Sequence, residues 1–380
     1  MITWLGCVFF QAEDGIRDSS TSRGLGDVYK RQSVASLYQN SKKFNWATSY
    51  LFVSKLFLFY VVVVSLRDFD MLGDTRAYLG MFSQVRDGFF DLISTRIEPG
   101  FVLLLKFFSL LDLTDRQFLF AIATFQVSLW FFALKTYFAK PATLLLSVFI
   151  FISMFFYYNL GANVLRQALA IPFLILAFHY IFKGELLKLI MVALLAATLH
   201  KTTIGIIIIV FFVTKLNFKI TTSLAIMLII TFLSASGIND KISGFVAASL
   251  FQGYSYIWQE SSVELYRVGF RLDFWLFTML PVVLYYLLTD EGKVLFKVQF
   301  NSYLLIFSLF IFMFSLPYSD RTGIYCWTFG CLLMADFSGY YRFNILNSKS
   351  LMVSVIGLFG ILSFLFYKTL NFNYMLENLM

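Results

Sequence analysis

Apolar segments separated by short polar turns recur along nearly the whole chain after residue 45. Several are shorter than the roughly 20 residues that a straight helix needs to cross a bilayer. The pattern predicts an all-α, polytopic integral membrane protein with about 11–12 hydrophobic helices, some of them short or re-entrant. The expected spans are 46–66, 97–112, 117–136, 141–158, 163–182, 186–199, 202–216, 220–236, 272–289, 298–316, 322–338 and 350–367.

Composition supports this class and excludes others. The chain has 380 residues, of which 59% are hydrophobic and 14% charged, and its mean hydropathy of +0.77 does not suit a soluble domain of this length. The formal net charge of +8 is spread through the loops, which suits cytoplasmic lysines and an anionic lipid substrate and argues against nucleic acid. Walker and dinucleotide motifs are missing from the sequence, and Cys326 and Cys331 do not have a metal-site spacing.

Residues 1–32 differ from the rest of the chain. The stretch from residue 9 to residue 32 is polar and irregular, and it resembles a translated sequencing-adapter tract. We interpret 1–32 as an artefactual leader and 33–380 as a single multi-span membrane domain whose first helix is missing. Two hydrophilic loops, at about 67–98 and 237–271, are expected on the extracytoplasmic side.

Basic residues in the short turns predict the orientation. They form pairs at alternate turns: Lys42/Lys43, Lys135/Lys140, Lys183/Lys188, Lys215/Lys219, Lys293/Lys297 and Arg342/Lys349. All of these are cytoplasmic only if the segment 97–112 enters the membrane without crossing it, which is the arrangement we favour. If 97–112 does cross, the predicted orientation of every later segment inverts, and the polar residues are split between the two faces of the membrane.

The segment 163–201 reads as two membrane helices joined by a short basic turn. Asn163, Arg166 and Gln167 share one helical stripe, and His200 ends the second helix. An up-and-down hairpin returns His200 to the face where Arg166 lies. An arginine in lipid costs about 2.5–3.5 kcal/mol on insertion scales, so it normally faces a water-filled cavity and an anionic partner. The alternative is an arginine that snorkels to the headgroups.

The first hydrophilic loop carries Arg67, Asp70, Asp74 and Tyr78. The last three are four residues apart, and on a helix they form one stripe. Carboxylates there suit a general base for a sugar hydroxyl or a metal site, whereas the alternative is an ordinary solvated loop.

The same loop also has an apolar stripe at helical spacing, which predicts a helix lying along the membrane surface. The stripe consists of Tyr78, Phe82, Val85 and Phe89.

Glu98 stands before Pro99 and Gly100, at the mouth of an apolar segment. Proline fixes the chain entry, and glycine allows close approach of another backbone. The alternative is an acid that is favoured only by the helix dipole. His200 suits a general acid or base, or a phosphate donor, although a histidine that ends a helix is often only stabilised by the dipole.

Two further polar residues lie in or next to apolar segments. His179, in the middle of its helix, is predicted to make an ordinary interhelical hydrogen bond. Arg321 opens a later apolar segment near Tyr325, and it is either a second pyrophosphate ligand or an interfacial anchor.

The order of these motifs resembles the EpsG family, a branch of the Wzy-type polysaccharide polymerases. That family pattern has an Arg/Asp-rich first loop with Gly-Asp and Tyr, then Glu-x-Gly, Leu-Arg-Gln-x-Leu-Ala, a helix ending in His, and a late Arg before a Tyr. The corresponding positions are 67–78, 98–100, 165–170, 198–201 and 321–325, so the resemblance covers about 46–340.

The resemblance implies a nucleotide-independent membrane glycosyltransferase. It would polymerise undecaprenyl-diphosphate-linked oligosaccharide units into a surface polysaccharide, such as O-antigen, capsule or exopolysaccharide, at the outer face of the bacterial cytoplasmic (inner) membrane. The lipid bilayer, a chain-length regulator and a flippase are the other expected partners. No cofactor, metal or nucleic acid is expected.

The residue roles follow from the resemblance together with the chemistry that the site needs. Arg166 and Arg321 are expected to bind the diphosphate, Asp74 or Glu98 to act as the base, and His200 to assist or orient. The remaining substrate-binding candidates are Arg67, Asp70, Tyr78, Gln167 and Tyr325. Sugar stacking is expected from Tyr254, Tyr256 and Trp258.

Two alternatives remain open from the sequence. A multi-span glycosyltransferase that uses polyprenyl-phosphate sugars also carries acids in its first outer loop. A flippase or transporter for lipid-linked oligosaccharide is the other alternative, although the internal inverted repeats of such proteins are not visible here.

Overall fold

The computed structural model describes residues 46–67, 69, 73–88, 97–239, 241–242, 268–340 and 357. These residues form helices and connecting turns without a β-strand. The helices are α1 (Trp46–Ser65), α2 (Gly73–Arg86), α3 (Pro99–Ser109), α4 (Asp115–Tyr137), α5 (Pro141–Ser153), α6 (Phe155–Ala162), α7 (Leu165–Lys183), α8 (Leu186–Leu199), α9 (Thr203–Leu216), α10 (Ile220–Ala235), α11 (Leu272–Thr278), α12 (Leu280–Leu287), α13 (Asp290–Leu295), α14 (Lys297–Phe312) and α15 (Ser319–Tyr340), with a 3₁₀ turn at Met313–Ser315.

The prediction of an all-α polytopic membrane protein is confirmed. Among the described residues, α4, α7 and α14 with its 3₁₀ turn are long and apolar enough to cross a membrane, and α5 with α6 adds one more if the bent pair is a single span. Shorter apolar helices account for most other predicted spans. The predicted span 350–367 lies outside the described residues, apart from residue 357.

The helices form two compact units. Of the described residues, those up to Ile204 belong to the first unit and those from Gly205 to Tyr340 belong to the second. The expected leader, 1–32, lies outside the described residues, and the interpretation of 33–380 as one multi-span domain stays a prediction.

In the first unit, α1 ends next to the beginning of α4. Arg116, in the first turn of α4, donates from Nη1 to the backbone oxygens of Ser65 and Arg67, at 2.7 Å each. The last carbonyls of a helix have no partner within the helix, so a cation placed there satisfies them and interacts favourably with the helix dipole. The C-terminal end of α1 and the N-terminal end of α4 therefore lie at the same end of the unit.

The segment that contains α3 begins and finishes at this same end. Arg67 donates to the Thr75 hydroxyl in α2, at 3.1 Å, and that hydroxyl donates to the Ala162 carbonyl at 2.9 Å. Ala162 precedes α7, whose first turn pairs with Glu98 just before α3. With 11 residues, α3 is about 16 Å long, too short to cross. The segment therefore starts and ends at one end of the unit, and the favoured arrangement, in which 97–112 enters the membrane without crossing it, stays a prediction.

The predicted span 141–158 differs from what the structure shows. It is broken at Met154, whose backbone is extended, and α5 and α6 meet there at 76°. Tyr60 of α1 donates to the Tyr157 carbonyl at 3.0 Å, so a neighbouring helix satisfies a backbone group close to the break. Uniform apolarity on both sides of Met154 gives no signal of such a break in the sequence.

Pro172 lies inside α7 and is compensated by a side chain from α4. Proline has no N–H, so the carbonyl four residues earlier, at Ala168, loses its helical donor. The indole Nε1 of Trp130, a fully buried residue of α4, donates to this carbonyl at 3.1 Å. The contact explains how α7 keeps a proline at its centre while packed inside the unit.

We expect Trp130→Phe to lower the free energy of unfolding by about 1–3 kcal/mol, the typical cost of leaving a buried polar group without a partner. Pro172→Ala supplies a new backbone N–H for the Ala168 carbonyl. The double variant should therefore lose less stability than Trp130→Phe alone when melting temperatures are compared in detergent. Equal losses in the single and double variants would contradict this explanation.

The second unit has two polar ends of its own. At one, the Asn239 side chain donates to the Phe312 carbonyl at 2.6 Å, and the Gly269 N–H donates to the Phe314 carbonyl at 2.8 Å. At the other, the Asn301 side chain donates to the Phe218 carbonyl at 2.6 Å. Both flanks of the predicted loop 237–271 therefore lie near the segment that leads from α14 into α15.

Candidate functional site

The centre of the first unit's polar end is the carboxylate of Glu98. It precedes α3, and its side chain is only 6% exposed. Arg166, in the first turn of α7, donates from Nη1 to Oε2 at 2.6 Å. The short distance and low exposure identify a charge-assisted contact that is largely shielded from water.

The other oxygen of Glu98 faces the end of α8. Oε1 accepts the backbone N–H of Lys201 at 3.3 Å, and Nδ1 of His200 lies 3.4 Å away. The imidazole is partly exposed, at 15%. One carboxylate therefore joins the beginning of α7 to the end of α8, as the predicted hairpin requires.

The pKa of the Glu98 carboxyl is lowered from 4.5 to about 2. Burial alone would raise it, because the charged form loses water. The contact with His200 and the charge of Arg166 oppose burial and outweigh it. Glu98 is thus an anion at neutral pH and a weak proton acceptor.

Tyr78 of α2 completes this cluster. Its phenol interacts with the guanidinium of Arg166, and its ring packs edge-on against Phe101 of α3 at 5.7 Å. The polar cluster rests on a buried core, in which Phe82 stacks on Phe118 at 4.1 Å. The rigid packing below holds the polar groups above in position.

This packing corrects the expectation that α2 lies with its apolar stripe on the membrane surface. Tyr78, Phe82 and Val85 are buried against protein, chiefly α3 and α4. The helical periodicity is right, but the apolar stripe of α2 covers the top of the helical core. Phe89 lies outside the described residues.

Asp74 is held close to the cluster through its backbone. Its N–H donates to the side-chain oxygen of Asn163 at 3.1 Å, and Asn163 stands three residues before Arg166. The contact caps the beginning of α2 and places the Asp74 carboxylate at the same end of the unit as Glu98. The sequence predicted Asn163 on one helical stripe with Arg166, whereas Asn163 follows α6 and precedes α7, which begins at Leu165, and its contact with Asp74 was not predicted.

Arg67 lies deeper than its predicted role in substrate binding suggested. It is 2% exposed, donates to the Val64 carbonyl and contacts Thr75. Burial lowers the pKa of Arg67 to about 10, so it remains a cation at neutral pH. Its contacts describe a residue that caps α1 and anchors α2, and a direct role with substrate stays a prediction.

The other candidate residues are distributed as follows. Gln167 is buried in α7, next to Arg166. Arg321 belongs to the second unit, where its guanidinium lies 4.7 Å from the Tyr318 ring, and Tyr325 is buried in α15. The positions that lie outside the described residues are Asp70, Tyr254, Tyr256 and Trp258.

His179 differs from its prediction. Its ring lies 6.3 Å from that of Tyr137 in α4, and within the described part of the chain its imidazole makes no hydrogen bond. The interhelical contact exists, but it is between rings, because α4 offers an aromatic face at this level.

The chain matches the model of the EpsG family over residues 50–378. The chain belongs to the EpsG family. No curated protein and no solved structure gives a significant match. Membership in the EpsG family identifies a membrane protein of the polysaccharide-polymerase type.

The EpsG match spans every member of the Glu98 cluster. Tyr78, Glu98, Arg166 and His200 come from four separate segments that the sequence analysis had singled out, and the structure brings their side chains together. Within the described residues no group of three or more His, Cys, Asp or Glu side chains is arranged to hold a metal ion. The guanidinium, the imidazole and the carboxylate of the Glu98 cluster are groups that suit anion binding and proton transfer.

Gly100 is what allows α3 to approach the end of α8. A Cβ at this position would lie 2.5 Å from Oγ1 of Thr198 and 2.8 Å from its backbone oxygen. Since Thr198 is two residues before His200, the close approach sets the distance from Glu98 to the imidazole. The backbone approach predicted for Gly100 is confirmed by this contact.

We expect Gly100→Ala to separate α3 from α8 and to destabilise the protein by about 1–3 kcal/mol, as overpacking does. Thr198→Ala should restore only part of the loss, because the backbone oxygen remains. Gly80→Ala is the matched control, since a Cβ at this helical position would meet no atom within 4 Å. Melting temperatures in detergent measure the difference, and equal effects at Gly80 and Gly100 would refute the argument.

Proposed function

We propose that this EpsG-family protein polymerises undecaprenyl-diphosphate-linked oligosaccharide units into a surface polysaccharide at the outer face of the bacterial cytoplasmic membrane. In this reaction the growing chain leaves its lipid diphosphate and joins the next lipid-linked unit. The leaving group is already activated, so no nucleotide is required.

The observation that carries the proposal is the convergence of Arg166 and His200 on Glu98. A transfer of this kind needs a cation for the diphosphate and a group that removes a proton from the acceptor hydroxyl. Arg166 supplies the first and is 26% exposed, although one of its nitrogens is bound to Glu98. A guanidinium carries five N–H donors, so Arg166 has donors beyond the one that binds Glu98 for an anionic ligand.

Two further basic residues lie at the same end of the unit as the Glu98 cluster. Lys201 is exposed beside the cluster, and Arg76 is exposed on α2. A diphosphate carries more than one negative charge, so a single Arg–Glu pair would bind it poorly. The two added cations lie at the same end of the unit and favour an anionic headgroup at the membrane surface.

The proposal is tested with the purified full-length chain in liposomes that contain polyprenyl-diphosphate oligosaccharide and no nucleotide. We expect a ladder of longer lipid-linked glycans on gels. Transfer that requires a polyprenyl-phosphate monosaccharide would identify the multi-span glycosyltransferase alternative. Movement of intact units across the bilayer without elongation would identify a flippase. Either result would overturn the proposed function.

A further inference from the structure

We infer that His200 is the general base of the proposed transfer and that Glu98 positions it. This inference rests on the proposed function. It separates two residues for which the sequence suggested the opposite roles, with Glu98 as a candidate base and His200 as its assistant.

The contacts of Glu98 are those of a residue that holds others in place. Its Oε2 is bound to Nη1 of Arg166, and its Oε1 faces the N–H of Lys201 and the Nδ1 of His200. Both oxygens are therefore engaged, and the side chain is almost completely shielded from water. To act as a base, Glu98 would have to weaken its contact with the partly buried guanidinium of Arg166 in every catalytic cycle, which is costly.

The position of His200 suits proton transfer. Its Nδ1 lies 3.4 Å from Oε1 of Glu98, and Nε2 lies on the opposite edge of the ring. A carboxylate at Nδ1 favours the tautomer that carries its proton there, so that Nε2 is the acceptor nitrogen, and it stabilises the imidazolium that forms. The imidazole is more exposed than Glu98, at 15% against 6%. His200 also follows the last residue of α8, so packed helices fix its backbone on one side.

In the proposed step, the acceptor hydroxyl gives its proton to Nε2 of His200 while its oxygen bonds to the anomeric carbon of the growing chain. The bond between this carbon and the diphosphate oxygen breaks, and its electron pair leaves with the polyprenyl diphosphate. The imidazolium then transfers the proton to the leaving diphosphate or to solvent. This step requires no oxidant, metal or nucleotide.

The charged and titratable groups around His200 determine its pH response. Glu98 faces it from the beginning of α3, Arg166 lies at the beginning of α7, and Tyr78 of α2 contacts that arginine. Lys201 follows it in the chain. The nearest of these groups is the carboxylate, which favours the protonated ring, so its removal should shift the titration of His200 to lower pH.

The test is the pH dependence of kcat/KM for polymerisation by the full-length protein in liposomes. The chain has only two histidines, so His179→Gln is a matched control from the opposite end of the same hairpin. We expect His200→Gln to lose about 10²–10⁴-fold in kcat with little change in KM, and to lose the fall in rate on the acid side. Glu98→Gln should keep this acid-side fall and move it to lower pH, and His179→Gln should match the wild type.

Three outcomes would overturn the inference. The first is a fall in kcat/KM at acid pH that persists in His200→Gln. The second is the disappearance of this fall in Glu98→Gln, and the third is its disappearance in Asp74→Asn. Imidazole added to His200→Ala separates lost chemistry from lost folding, because it should restore rate to a folded variant that lacks only the base. A wild-type protein that makes no polymer would instead refute the proposed function.

Discussion

Arg166→Lys should lose most of its polymer while the protein still inserts into the membrane. The guanidinium binds Glu98 through Nη1 and interacts with Tyr78. Lysine keeps the charge but offers a single ammonium, so it cannot satisfy these partners together. Losing one hydrogen bond to a charged group costs about 1.5–3 kcal/mol, which corresponds to a roughly 10–100-fold lower rate.

The readout is the length distribution of lipid-linked glycan at matched expression, where single units should accumulate. Arg86→Lys is the control, since Arg86 is exposed on α2 and its ion pair with Asp87 is long, at 3.6 Å. His200→Ala should resemble Arg166→Lys, and His179→Ala should retain a normal ladder. If Arg166 merely snorkels to the headgroups, lysine will replace it without effect. A normal ladder from Arg166→Lys would remove the guanidinium from the mechanism.

Glu98→Ala should be the most destabilising of the single substitutions considered. Removing the carboxylate leaves the guanidinium of Arg166 partly buried without its anion, and breaking a buried pair in this way costs about 3–5 kcal/mol. Glu185→Gln is the control, because the Glu185–Lys188 pair is exposed and should contribute little. Replacing both Glu98 and Arg166 by leucine should recover stability but not activity. A Glu98→Ala protein that melts like the wild type would show that the pair is not shielded.

The same carboxylate predicts an acid-sensitive stability. The pKa of Glu98 is lowered in the folded protein, from 4.5 to about 2. The contribution of Glu98 to the free energy of unfolding is therefore complete above about pH 4.5 and is lost as the pH falls towards 2. Melting temperatures across this window should fall more steeply for the wild type than for Glu98→Gln. Parallel curves for the two proteins would contradict the lowered pKa.

Local patterns were sufficient to predict most of the fold. Apolar runs located the helices within a few residues, and the match of the chain to the EpsG family confirms the resemblance that motif order had indicated. The hairpin of α7 and α8 was predictable because two apolar helices with a short turn between them must be neighbours. The alternation of basic turns predicts that the short segment with α3 does not cross the membrane, and this stays a prediction.

Features that depend on partners distant in the sequence were not predictable. The break at Met154 lies within an unbroken apolar run, and the donor for the Ala168 carbonyl comes from a tryptophan 38 residues earlier. The roles within the site were equally hidden. A carboxylate before a helix looks the same in sequence whether it accepts a proton or holds an arginine, and only the contacts of Glu98 separate the two.

Glu98 is synthesised before Arg166, and this order affects insertion of the chain into the membrane. Glu98 precedes Arg166 by 68 residues, so α3 and its carboxylate have left the ribosome before α7 reaches the membrane. An arginine that enters lipid alone meets an insertion penalty of about 2.5–3.5 kcal/mol. Here the counter-ion of Arg166 has already been synthesised, so formation of the pair can offset this penalty. We therefore expect insertion of α7 to depend on a residue that lies outside it.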